Sequence, residues 1–224
     1  MSRDGVESGS EDAARFRRAL TGVALFIALL ALIELLDVSL GLHLERFGVY
    51  PRVWYGLWGV LCAPLIHGSW EHLISNSLVL LVLGVVLLYG YPRASLRVLA
   101  LIWLGSGLGV WLFARESYHF GASGLAHGLM FYVFVSGILR RDRLSIALAL
   151  IVFLLYGGMV MTIFPQQPGI SYESHLSGAL MGVAAAFMFR HRDPAPPEKT
   201  YEWESDPQSD DTPLPGPGDH RNSR

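Results

Sequence analysis

Four polar side chains stand at the heads of long apolar runs, and between them they hold the parts of an acyl-transfer site. His72 and Asn76 open one run, Ser123 opens a second within Gly121-Ala122-Ser123-Gly124, and His175 opens a third. A serine hydroxyl is a poor nucleophile until a base takes its proton, and histidine is the base best matched to neutral pH. Acyl transfer also needs donors for the developing oxyanion, which amides, imidazoles and backbone N–H groups supply. The i, i+4 spacing of His72 and Asn76 puts both on one helix face. Gly121 and Gly124 let the chain turn tightly beside Ser123 and expose N–H groups at a helix N-terminus, where the dipole favours negative charge. Each residue alone has a plainer reading. Serine beside glycine is common in membrane helices, Asn76 could bond a neighbouring helix, and His72 could sit at an interface. His175 is followed by Gly178 and Gly182, a spacing that brings its helix close to another. The combination, rather than any member, points to chemistry.

The elements that must position these residues lie in an unusual chain. Of its 224 residues 52% are hydrophobic and 16% charged. Residues 1–19 hold 8 of the Lys, Arg, Asp and Glu residues, 20–190 hold 16, and 191–224 hold 12. The middle stretch has too little charge to coat a water-facing surface, which excludes a soluble globule. A single cysteine, Cys62, excludes a disulfide scaffold, and a net charge of −2 gives no support for nucleic-acid binding. A polytopic, all-α membrane protein remains.

A helix needs about 20 mostly apolar residues to cross a bilayer core of about 30 Å. Six runs qualify, at about 20–36, 72–91, 94–114, 123–139, 144–164 and 174–189. The first follows Arg15, Arg17 and Arg18 but is longer than a signal-peptide core and lacks a small-residue cleavage site, so it reads as a retained span. With the N-terminus in the cytoplasm, ten arginines near span ends fall on the cytoplasmic side and three, Arg46, Arg52 and Arg115, on the other. N-in, C-in topology is therefore expected. Spans two, four and six then run the same way, and the four polar residues share one depth. Residues 1–19 and 191–224, rich in Pro, Ser and acid, are expected to be disordered cytoplasmic tails. The connection 37–71 carries Trp54, Tyr55, Leu57, Trp58, Val60 and Leu61 and is expected to lie in the membrane interface.

These pieces resemble the rhomboid family of intramembrane serine proteases. His72-Leu-Ile-Ser-Asn76 is similar to the family's His-xxx-Asn, Gly121-Ala-Ser123-Gly124 to its Gly-x-Ser-Gly, and His175-Leu-Ser-Gly178-Ala-Leu-Met-Gly182 to its His-xx-Gly-xxx-Gly. Gly48-Val-Tyr-Pro51-Arg52, Gly56-Leu57 and Pro64-Leu-Ile-His67 look like bacterial members, and the likeness covers about Arg46–Arg190. It implies a six-helix bundle in a bacterial cytoplasmic membrane. Ser123 would be the nucleophile and His175 the base, with His72, Asn76 and the Ser123 N–H holding the oxyanion. Substrates would be transmembrane proteins cut in or beside their spans. No cofactor or metal is implied, and the lipid bilayer is the other partner; oligomeric state is not legible. One departure stands out. His127 occupies the place of an aromatic residue that packs on the catalytic histidine, and the form Gly121-Ala-Ser-Gly-Leu-Ala-His127-Gly128 resembles the rhombosortase branch. His127 is expected either to pack there or to tune the base. Glu173, two residues before His175, either orients that ring or lies at the outer surface. The loop lacks the Trp-Arg pair of some members, because Gly59 follows Trp58.

Two other classes compete. His67, His72, His127 and His175 could serve a haem or metal, and a rhomboid-like chain can be a catalytically inactive binding protein for membrane proteins. The inactive forms typically lose the serine or the histidine, and both are present here.

Overall fold

The computed structural model describes residues 3–165 and 169–193. These form α1 (Arg3–Leu40), α2 (Trp58–Cys62), α3 (Trp70–Gly90), α4 (Ser95–Phe113), α5 (Ser123–Arg140), α6 (Arg143–Tyr156) and α7 (Tyr172–Phe189). No strand occurs among the described residues; one isolated antiparallel bridge joins Val49 to His119. Five helices are long and apolar enough to cross a membrane. The sixth expected span, α7, is as long as α5, 18 residues, but its first turn is Tyr172-Glu-Ser-His175, and that polarity sets it apart from the other five. It packs within the same bundle, chiefly on α5 and α4.

Local chemistry sets several helix ends. Ser69, Asp142 and Ser171 cap α3, α6 and α7, each accepting a backbone N–H two or three positions into its helix. Tyr91-Pro92 stops α3. The fifth span, Arg143–Ile163, lies within a residue of the expected 144–164, but only its first part is α-helix: α6 ends at Tyr156 and continues as a 3₁₀ segment, Gly157–Ile163. Two adjacent glycines weaken the α-helical ladder there.

One tail expectation changes. Residues 1–19 were expected to be disordered, yet α1 extends back to Arg3. Adding residues to an existing helix avoids the nucleation cost, so a polar segment can continue a membrane span. The expectation for residues 191–224 falls mostly outside the described residues, of which 191–193 are the last. Asp193 is buried and accepts the backbone N–H groups of Arg93 at 2.9 Å and Ala94 at 3.0 Å, at the entrance to α4. A carboxylate there accepts from the turn that leads into α4 and complements the helix dipole.

The connection between α1 and α3 is bonded to α4 along its length. Trp111 Nε1–H donates to Val53 O at 2.8 Å, Trp103 Nε1–H to Leu61 O at 3.2 Å, and Arg52 to Ala114 O at 2.8 Å. These bonds anchor a loop that has no Trp-Arg pair. Its inner residues Val49 and Ala63 pack with Val110 and Ala114, while Trp54, Tyr55, Leu57, Trp58 and Leu61 stay exposed as an apolar row.

At the centre stands α5. Within the protein 61% of its span is buried, against 11–33% for the other four spanning helices. Leu125, Leu129 and Met130 pack there with Leu80 and Leu83 of α3, Ile102 of α4 and Ala185 of α7.

Candidate active site

Ser123 is the first residue of α5, and the turn before it depends on Gly121. That residue has φ of +106°, and a Cβ on it would come within 2.5 Å of the His72 ring, so only glycine fits between the serine turn and α3. Ala126 makes the first intrahelical bond, to Ala122, which leaves the Ser123 N–H among the free amides of the helix start.

Close helix contact then sets the serine against the histidine. A side chain at Gly178 or Gly182 of α7 would run into the carbonyls of Gly124 and Gly128 on α5, and one at Gly124 would strike Ser174. The sequence pointed to Gly178 and Gly182 as a contact stripe; its partner stripe is Gly124 and Gly128. At this backbone-to-backbone distance His175 Nε2 lies 2.9 Å from Ser123 Oγ. The other ring nitrogen, Nδ1, is 3.0 Å from the Thr162 carbonyl. A carbonyl only accepts, so Nδ1 carries the proton and Nε2 presents its lone pair to the serine hydroxyl.

His127 lies flat on His175, with ring centroids 3.9 Å apart and planes inclined by 11°. Its Nδ1–H donates to Ser123 O at 2.7 Å, and Nε2 meets Thr162 Oγ1 at 2.8 Å. Thr162 therefore holds both imidazoles, one by its carbonyl and one by its hydroxyl. All four ring nitrogens of this pair have hydrogen-bond partners among the described residues.

An open cavity of about 590 Å³ joins His72, Asn76, Ser123, His127 and His175. Asn76 is buried, and its Nδ2 has no hydrogen-bond partner among the described residues. A buried amide donor left unpaired costs free energy of about 1–3 kcal/mol unless something arrives to accept from it. It faces the cavity that Ser123 also lines.

Glu173 takes neither expected role. It is buried, and Arg115 Nη1 sits 3.2 Å from its Oε2. Arg115 also donates to Ile170 O at 2.7 Å, tying the segment before α7 to the loop before α5. His119 adds a second tie: Nε2–H donates to Arg115 O at 3.0 Å, and Nδ1 accepts from Ser171 Oγ at 2.7 Å. Burial pushes His119 below the ordinary histidine range, in keeping with this neutral tautomer. His67, 1% exposed, receives the Ala122 N–H at 3.5 Å and packs its ring edge-on to His72. Burial, reinforced by the nearby His72, pushes His67 down to about 4. Sequence reasoning missed Thr162, Arg115 and His119. Only Thr162 left a trace, as a lone polar residue near the end of span five.

Residues 55–192 match the family model Rhomboid domain. An uncharacterised protein of Mycobacterium tuberculosis and one of Mycobacterium bovis are each 38% identical over 177 residues, 75% of this chain and 74% of theirs. An uncharacterised protein of Mycobacterium leprae is 32% identical over 207 residues, 88% of this chain and 80% of its own. The chain belongs to the rhomboid family and is a multi-pass integral membrane protein. The match is to the family as a whole and does not distinguish its branches.

Proposed function

We propose that the protein is an intramembrane serine endopeptidase that hydrolyses peptide bonds in or beside transmembrane segments. The observation that carries this reading is the 2.9 Å contact between Ser123 Oγ and His175 Nε2, with Nδ1 held by Thr162, in an open cavity. His175 Nε2 takes the Ser123 proton as Oγ attacks the scissile carbonyl. The C=O electrons move onto oxygen, and the donors available to that oxyanion are Asn76 Nδ2, the His72 ring and the Ser123 N–H. Removing one such donor typically costs about 10²–10³ in kcat. Collapse of the intermediate breaks the C–N bond, and His175 returns its proton to the leaving amine. Water, deprotonated by His175, then releases the acyl group and restores Ser123. The flat ring of His127 supports the transient imidazolium through its π face, as an aromatic would.

A substrate helix must unwind for its backbone to reach Ser123, so small or helix-breaking residues near the cut are expected. The arginine distribution favours both termini in the cytoplasm and the cavity opening on the other side of a bacterial cytoplasmic membrane. The test is fluorophosphonate labelling of the purified chain. Labelling at Ser123 that disappears in Ser123→Ala supports the reading. An unlabelled, folded wild-type protein sinks it in favour of an inactive rhomboid-like protein that binds other membrane proteins.

A further inference from the structure

Away from the catalytic cavity, a groove of about 490 Å³ opens between α1 and α4. Leu80 and Gly84 of α3 form its floor, and Leu125 and Leu129 of α5 its back wall. Every residue lining it is apolar, apart from the Trp103 indole N–H already bonded to Leu61 O. Gly22 of that groove also lines a shallower recess, whose other residues include Arg17, Arg18 and Thr21 of α1. The arginines are exposed and have no acidic partner among the described residues. Asp12, a nearby acid on α1, lines a different recess with Tyr89 and Leu148.

We propose that this composite groove is a binding site for one anionic phospholipid, with its phosphate on Arg17, Arg18 and Thr21 and an acyl chain between α1 and α4. Charge selects the occupant, because an apolar groove beside two cations that have no acidic partner among the described residues complements a lipid with an anionic head, and basic pockets near spanning helices recognise such headgroups. Size agrees. A spanning helix about 10–12 Å wide and about 30 Å long fills several times this volume, whereas an acyl chain is slender. The chain end would rest on Leu125 and Leu129, within two turns of Ser123 on the same helix.

The test is native mass spectrometry of the detergent-purified full chain titrated with phosphatidylglycerol or phosphatidylcholine. It reads binding and is independent of protease activity. Wild type is expected to retain one phosphatidylglycerol at least tenfold more tightly than phosphatidylcholine. Arg17→Gln/Arg18→Gln should lose that preference. Arg15→Gln, which removes a charge from the same helix outside the recess, should keep it. Ala100→Phe, which fills the groove, should weaken retention of both lipids. Equal binding of the two lipids by wild type, or loss of preference in Arg15→Gln as large as in the double variant, would overturn the proposal.

Discussion

Helices α5 and α6 are neighbours in sequence and in space, but they are built on opposite principles. The first has 61% of its span buried and meets α7 at backbone contact through facing glycines; the second has 11% buried and continues as a 3₁₀ segment after Tyr156. Ser123 and His175 both sit on the locked pair, α5 and α7. The α6 side supplies only Thr162, whose carbonyl and hydroxyl hold the two stacked imidazoles. On the proposed reading, the difference teaches that the two reacting side chains stand on helices in backbone contact, while ring orientation is entrusted to the end of a more exposed element.

The contrast can be broken first at its centre. Ser123→Ala should abolish fluorophosphonate labelling and bring cleavage of a model transmembrane substrate below detection. Gly178→Leu should come next, with a loss of at least about 100-fold, because its side chain meets the Gly124 carbonyl and must push α7 off α5, and a misplacement of about 1 Å can cost that much. A control at Gly158, where a Cβ meets nothing within 4 Å, should leave activity near wild type as Gly158→Ala. Equal losses at both sites would remove the distinction between locked and loose regions. Asn76→Ala should lower kcat by about 10²–10³ with little change in KM, as expected for a donor used mainly in the transition state.

Stability offers a pH test. His67 is buried neutral, its pKa moved from 6.5 to about 4, so the unfolded chain binds more protons than the folded one between those values. Its contribution is present above pH 6.5 and is lost as pH falls towards 4. The unfolding temperature should therefore drop across that window, and His67→Phe should flatten the slope. The smallest effect is expected from Thr162→Val, which keeps the carbonyl on His175 and removes the hydroxyl from His127 and from the Met159 carbonyl: about threefold or less in kcat. A loss as large as that of Asn76→Ala would show that His127 tunes the base as well as packing on it.

The parts legible in the sequence are those encoded by residue type at fixed spacing. His72, Asn76, Ser123 and His175 were visible because polar side chains are rare in apolar runs, and the α7 glycines because their period matches a helix face. Thr162 was hidden for a physical reason. Its decisive group is a main-chain carbonyl, which every residue has, and only the 3₁₀ turn aims it at His175. Glu173 and Arg115 lie 58 residues apart, so neither proposed role for Glu173 included the partner that buries it. The helical start of α1 was hidden by a polar composition that names no structure of its own.

Asp193 closes a mechanical loop in this molecule. The chain leaves α7 and at once hands a carboxylate to the two amides just before α4, roughly a hundred residues back along the sequence. A pull on whatever follows Asp193 would therefore be felt at the α3–α4 turn as well as by the helix that carries His175. Breaking this clasp with Asp193→Ala leaves the Arg93 N–H without its acceptor, and it also separates two anchor points that the fold otherwise ties together.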